Sequence, residues 1–215
     1  MRRRRNWRAS EAVQIALPDL DTAVTLTFDS EHGLTDAAYF AFCAANPDLN
    51  AESRRDGEIV IVPPAGGESD FRTLIAGGDL HEWAARDKRG KGFGSSVQFM
   101  LPRGSALSPD AAWVSNERLG ALSKHELRQQ VSRLVPEFVI EIMFPKDRLA
   151  DAQEKMRLWA ANGVELGWLI DGDNRCVYVY RGTAEPLLVA DAESIAGEGP
   201  IEGFVLPLGE IWAGL

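Results

Sequence analysis

The stretch that most constrains this chain is Phe138-Val139-Ile140-Glu141-Ile142-Met143, a short apolar strand pattern with one carboxylate near its end. A charged side chain in a core strand is costly to bury unless it is paired or bound to a cation. Whatever fold the chain adopts must therefore give Glu141 a partner or leave it at an exposed edge. The surrounding sequence supplies candidates. Residues 147–161 have a helical period, with Leu149, Ala152, Met156, Trp159 and Ala160 on one stripe and Gly163 placed to end the helix. Strand patterns follow at Leu166–Ile170 and Arg175–Tyr180, joined by Asp171-Gly172-Asp173-Asn174.

Upstream, Thr35 is a candidate helix cap before Ala38, Phe40, Phe42 and Cys43, and Asn46-Pro47-Asp48 ends that helix. Residues 49–54 and 58–62 read as a hairpin across Asp56-Gly57. A helix is expected over residues 68–86, a basic glycine-rich turn from Asp87 to Gly94, and strands at Ser96–Leu101 and Ala111–Val114. The order predicts an α/β or α+β domain with one mixed sheet flanked by helices, over residues 31–215. Residues 1–30 read as an N-terminal arm with two short strand patterns.

Composition removes several classes. The chain has 215 residues, a size that needs no disulfide or structural metal to fold. No apolar run approaches the ~20 residues that cross a bilayer, so no membrane partner is expected. The two cysteines, Cys43 and Cys176, lie in apolar company and read as reduced, buried thiols of a cytoplasmic protein. The three histidines are far apart in sequence, which leaves a histidine-rich zinc site without support. There is no GxxxxGK[ST] and no GxSxG, and Gly90-Lys91-Gly92-Phe93-Gly94 precedes a strand rather than opening a helix.

The positive signal is a set of carboxylates at strand positions: Glu52 in the hairpin, Asp110 after Ser108-Pro109, and Glu141. Lys155 lies on the helix that follows. Gathered at a sheet edge, they would form a Mg²⁺ site with a proton-handling group, because Mg²⁺ prefers hard oxygen ligands and keeps some of its water. Each residue has a plainer alternative. Asp110 caps a turn, Glu141 faces solvent on an edge strand, Glu52 is an exposed strand residue, or Lys155 pairs with Asp151 one turn back.

Taken in order, several segments form a pattern. They are Leu49-Asn50-Ala51-Glu52 with Asp56-Gly57-Glu58-Ile59-Val60; Pro63-Pro64-Ala65-Gly66-Gly67-Glu68; Ser108-Pro109-Asp110-Ala111-Ala112-Trp113-Val114; and Pro136-Glu137-Phe138-Val139-Ile140-Glu141-Ile142. Gln153-Glu154-Lys155-Met156, Asn162–Asp171 and Val177-Tyr178-Val179-Tyr180-Arg181 complete the set. From about Leu34 to Arg181 the sequence resembles the Uma-type restriction endonuclease family, within the PD-(D/E)xK restriction-endonuclease-like superfamily.

The resemblance implies a restriction-endonuclease-like core and Mg²⁺-dependent (or Mn²⁺-dependent) hydrolysis of DNA phosphodiesters. It carries the superfamily aspartate onto Asp110 and the glutamate onto Glu141. Met143 stands where the textual motif has lysine, so the lysine is carried onto Lys155. Glu52 matches an additional family acid. The implied metal ligands are Asp110, Glu141, the Ile142 carbonyl and Glu52, the last directly or through water. Two departures lie near the site: Phe144-Pro145-Lys146-Asp147 replaces a Ser-Pro-Ser-Asp-like turn, and Trp159 replaces a usual tyrosine.

Charge bears on the substrate. Lys+Arg total 23 and Asp+Glu 32, a net charge of −9, whereas DNA affinity draws largely on Lys/Arg contacts to phosphate. Two basic clusters, Arg86/Lys88/Arg89/Lys91 and Arg2–Arg5, are the candidate DNA contacts, and a homodimer would set two copies along one duplex. The rival expectation is a nuclease-fold module without catalysis that serves binding or assembly.

Overall fold

The structure is a computed structural model that describes residues 15, 23–27, 34–55, 58–128, 131–132 and 134–215. The Arg2–Arg5 cluster, His32 and the Asp56-Gly57 turn lie outside the described residues. The elements run β1 (Val24–Thr27), α1 (Asp36–Ala45), β2 (Asn50–Arg55), β3 (Glu58–Val62), α2 (Gly67–Asp87), β4 (Gly90–Gly94), β5 (Gln98–Met100), β6 (Ala106–Leu107) and β7 (Ala111–Ser115). They continue as α3 (Asn116–Gly120), β8 (Val131–Ser132), β9 (Phe138–Ile142), α4 (Leu149–Ala161), β10 (Leu166–Asp171), β11 (Cys176–Arg181), β12 (Leu187–Ala190), β13 (Ser194–Ala196), β14 (Val205–Pro207) and α5 (Gly209–Ala213). This is the mixed α+β architecture expected.

The chain divides into two compact units, Met1–Pro64 with Leu101–Leu107, and Ala65–Met100 with Ser108–Leu215. In the first, β1, β3, β2 and β6 lie side by side in that order. The expected hairpin is β2 paired antiparallel with β3, Glu52 opposite Val60, with a register shift between Ser53 and Arg55. Of the stretch read as an arm, β1 pairs antiparallel with β3, and Ile15 and Ala23 are the other described residues. Thr35 caps α1 by accepting from the Ala38 amide at 3.2 Å, and the Tyr39 hydroxyl donates to the Ala51 carbonyl at 2.6 Å.

The second unit is built on a sheet of order β12-β11-β10-β9-β7-β4. β9 is parallel to β10 and antiparallel to β7, so the sheet is mixed. β5 and β8 pair outside it, as do β13 and β14, so the strands do not form the one sheet that the sequence order suggests. Side-chain alternation along β9 sorts its residues onto two faces. Phe138, Ile140 and Ile142 join a core with Ala76, Leu80 and Trp83 of α2 and Ile211 of α5. Val139 and Glu141 point to the opposite face, toward α4. Gly167 on β10 lets α4 settle there: a Cβ at that position would stand 2.5 Å from the Met156 methyl carbon.

One expectation is corrected. Gly90–Gly94, read as part of a turn, is the edge strand β4, paired antiparallel with β7. The cause lies across the ladder. A Cβ at Gly90 would meet the Val114 carbonyl oxygen at 2.3 Å and the Trp113 ring at 2.5 Å. Gly90 suits this place because the neighbouring strand leaves no room for a side chain, not because the chain turns.

Candidate active site

Glu141 lies one residue from the C-terminal end of β9 and is 7% exposed. β9 is flanked by β7 and β10, so the edge-strand alternative for Glu141 does not hold. Asp110 precedes β7, and because β7 runs antiparallel to β9 with Ala111 opposite Ile140, one further step brings Asp110 alongside Glu141. The backbone fixes that position from both sides. The Asp110 amide donates to the Ile140 carbonyl at 3.1 Å, and the Ile142 amide donates to Asp110 Oδ2 at 2.7 Å.

Lys155 comes from the middle of α4. Its Nζ donates to Glu141 Oε2 at 2.9 Å and to the Ser108 carbonyl at 2.8 Å. It therefore joins the Glu141 carboxylate to the segment that carries Asp110, and the exposed Lys155–Asp151 pair does not describe it. Its side chain is only 13% exposed, so it is held close to a charge it neutralises. The other carboxylate oxygen, Oε1, accepts from the Trp159 indole at 2.7 Å. Lys155 and Trp159 are four residues apart and share one face of α4.

The turn that launches α4 closes without the two serines. The Phe144 amide donates to Asp147 Oδ2 at 2.9 Å, and the Asp147 amide returns to the Phe144 carbonyl at 2.9 Å. The aspartate alone makes the turn. At the other end, the Gly163 amide reaches the Ala160 carbonyl and the Val164 amide the Trp159 carbonyl, a Schellman closure with Gly163 at φ 102°. Both ends of the helix that supplies Lys155 and Trp159 are fastened.

Three of the four predicted residues, Asp110, Glu141 and Lys155, are thus brought together by the second unit. Glu52 belongs to the first unit, where it is 2% exposed and its Oε2 is 3.1 Å from the Arg54 guanidinium. Trp159 reads in sequence as part of the apolar stripe and as a departure near the site; its hydrogen bond to Glu141 is what sequence reasoning missed. The predicted basic cluster is partly neutralised: Arg86 pairs with Glu82 at 3.1 Å and Arg89 with Asp87 at 2.9 Å, while Lys88 and Lys91 are exposed. Burial pushes the Cys43 and Cys176 thiols up, so neither is a ready thiolate at neutral pH.

Among the described residues, no three His, Cys, Asp or Glu side chains form a group that could hold a metal ion. A cation at this site would rest on the carboxylates of Asp110 and Glu141 and the Ile142 carbonyl. That oxygen set fits Mg²⁺, which is commonly held by one or two carboxylates with water and substrate phosphate completing its shell.

The sequence model of the Uma2 family, described as "Putative restriction endonuclease", matches residues 36–209. The chain belongs to the Uma2 family. The match runs beyond Arg181, so it includes β12, β13 and β14 as well as the site. Among solved structures, this Uma2 chain is similar to a protein described as a putative nuclease belonging to DUF820 from Anabaena variabilis ATCC 29413. The TM-score is 0.67 at 16% identity, covering 77% of this chain and 91% of that one. At that identity the likeness is one of fold. No curated protein matches the chain. No helix among the described residues is long and apolar enough to cross a membrane.

Proposed function

We propose that this Uma2 protein is a Mg²⁺-dependent endonuclease, also served by Mn²⁺, that hydrolyses DNA phosphodiester bonds at the C-terminal end of β9. The observation that carries the reading is the bridge made by Lys155 between Glu141 Oε2 and the Ser108 carbonyl, beside Asp110. Two acids with an ammonium between strand and helix form a donor set suited to a divalent cation and a phosphate.

When bound, the cation supplies Lewis acidity, polarising a phosphoryl oxygen and lowering the pKa of a coordinated water. The chain's own residues do the rest. Asp110 is held to the backbone of β9 by the Ile142 amide, so its carboxylate is aimed before substrate arrives. Glu141 is fixed by two donors from α4. Lys155 presents a positive charge close to where a pentacovalent phosphate would gain negative charge, and it can orient the attacking water. The reading assigns no step to Glu52, and Glu52→Gln tests whether it contributes.

The acidic net charge makes local contacts decisive for DNA. Lys88 and Lys91, and Arg2–Arg5 outside the described residues, are the proposed phosphate contacts, and a homodimer would double them along one duplex. The test is cleavage of supercoiled plasmid, single-stranded DNA and RNA with Mg²⁺, with Mn²⁺ and with chelator. Metal-dependent nicking of DNA is expected. No cleavage of any substrate with either metal would favour a binding or assembly module instead.

A further inference from the structure

We infer that Trp159 is the positioning residue of this site, its indole N–H fixing the direction in which the Glu141 carboxylate is presented. The inference rests on the nuclease reading for its purpose and deepens it at one of the two contacts that fix Glu141. Trp159 is completely buried, and its Nε1 stands 2.7 Å from Glu141 Oε1, at the short end of the range for a charge-assisted hydrogen bond. An indole is a donor only and does not titrate in the working range, so it always holds an acceptor at that place.

The geometry is a clamp. Lys155 takes one carboxylate oxygen and Trp159 the other, from successive turns of the same helix. The last torsion of a glutamate is broad and soft. With Lys155 on one oxygen and Trp159 on the other, the plane of the carboxylate is set.

The clamp's second jaw is itself rigid. The Phe99 ring meets the Trp159 ring edge-on, 6.1 Å between centroids at 74°, and Phe93 meets Phe99 at 6.2 Å and 80°. The Trp159 carbonyl is part of the closure of α4 by Val164, at 3.2 Å. Ring and backbone are therefore fixed by contacts independent of Glu141. Packing alone does not require the indole N–H to meet an acid. Trp113, buried in the same unit, keeps its Nε1 without a hydrogen-bond partner among the described residues.

The experiment uses the full chain. In the absence of metal and DNA, the ¹H–¹⁵N indole resonance of Trp159, assigned by its loss in Trp159→Phe, is expected to shift upfield in both Glu141→Gln and Glu141→Ala. Trp159→Phe keeps an aromatic ring against Phe99 and removes the donor. It is expected to lower kcat about 10–100-fold and weaken Mg²⁺ binding about 10-fold, with KM for DNA changed less than about 2-fold. Trp159→Tyr, which restores a donor, is expected to recover most of both. An indole resonance unmoved by the Glu141 substitutions would overturn the clamp, as would a Trp159→Phe protein with wild-type kcat and Mg²⁺ affinity. If Trp159→Phe does not fold, the resonance is assigned by elimination from single replacements of the other tryptophans, and the Glu141 variants decide. A resonance that moves in the Glu141 variants, of a protein whose wild type neither binds Mg²⁺ nor cuts DNA, would sink the nuclease reading and leave the clamp standing. An unmoved one in an active enzyme would sink the clamp alone.

Discussion

The two ends of β9 each carry a buried carboxylate with a cationic partner, yet they are built differently. At the N-terminal end, Glu137 accepts from the Arg118 guanidinium at 3.0 Å and from the Ser115 amide at 3.1 Å. Arg118 in turn reaches the Val135 carbonyl and Glu165, so one guanidinium ties several acceptors together. At the C-terminal end, Glu141 meets a lysine and an indole, with Asp110 alongside. Arginine is permanently charged and forks across many acceptors, which suits a structural tie. Lysine is a compact donor whose proton can take part in chemistry. The same problem, a buried carboxylate at an end of β9, is met once by a forked guanidinium and once by an ammonium with an indole.

That contrast can be broken by substitution, and the largest effects belong to the C-terminal end. Glu141→Gln and Lys155→Ala are each expected to reduce Mg²⁺-dependent plasmid nicking about 10³-fold, a size typical of lost electrostatic stabilisation, while circular dichroism stays native. Retained nicking in both would remove these residues from the mechanism. At the other end, Arg118→Ala is expected to lower stability by about 2 kcal/mol and leave the rate per folded molecule unchanged. That is below the ~3–5 kcal/mol of a fully buried pair, since Arg118 is 31% exposed. Urea unfolding with parallel kinetics checks it.

The two ends of β4 sharpen the comparison further. Gly90 pairs with Ser115 at the Glu137 end of the sheet, and Gly94 with Ala111 next to Asp110. Gly90→Ala must displace the Trp113 ring and the Val114 carbonyl, and a loss of about 1–3 kcal/mol is expected in thermal melts. A Cβ at Gly94 meets nothing within 4 Å, and Gly94→Ala should melt within about 2 °C of wild type.

The smallest effect concerns an acid placed among acids. Burial, with Glu82 and Glu210 nearby, raises the Asp79 carboxyl above its usual range, and Arg86 only partly offsets this. The folded chain then binds that proton more tightly than the unfolded chain. The resulting stability is full below the unfolded pKa and is lost as pH rises through the folded value. Asp79→Asn should therefore raise Tm at pH 7 by about 1 °C, with the gain vanishing in acid. An equal gain at both ends of the pH range would show that charge is not the cause.

Much of this site was readable before any fold was known, and the reasons are specific. Asp110, Glu141 and Lys155 stand out as an ordered set because a carboxylate inside Phe138–Ile142 demands a partner, and the following helix holds a lysine. The contact of Trp159 with Glu141 was hidden because its helical spacing fits an apolar stripe equally well, and only the packed structure shows where its N–H points. β4 was hidden because the reason for Gly90 is the bulk of Trp113 and the backbone of Val114 on the adjacent strand. The division of strands into separate sheets depends on pairings between distant segments, which local alternation does not encode. Glu52 reads in sequence as a further acid beside Glu141, and Arg54, two residues along the same strand, is one partner that the strand pattern did not announce.

Calorimetric titration of Mg²⁺ into the metal-free protein tests the central claim most directly, with Asp110→Asn and Glu141→Gln run in parallel. One saturable site in the wild type, weakened at least about 10-fold in both variants, is the predicted result. Absence of binding in the wild type, or binding that neither substitution alters, would contradict it.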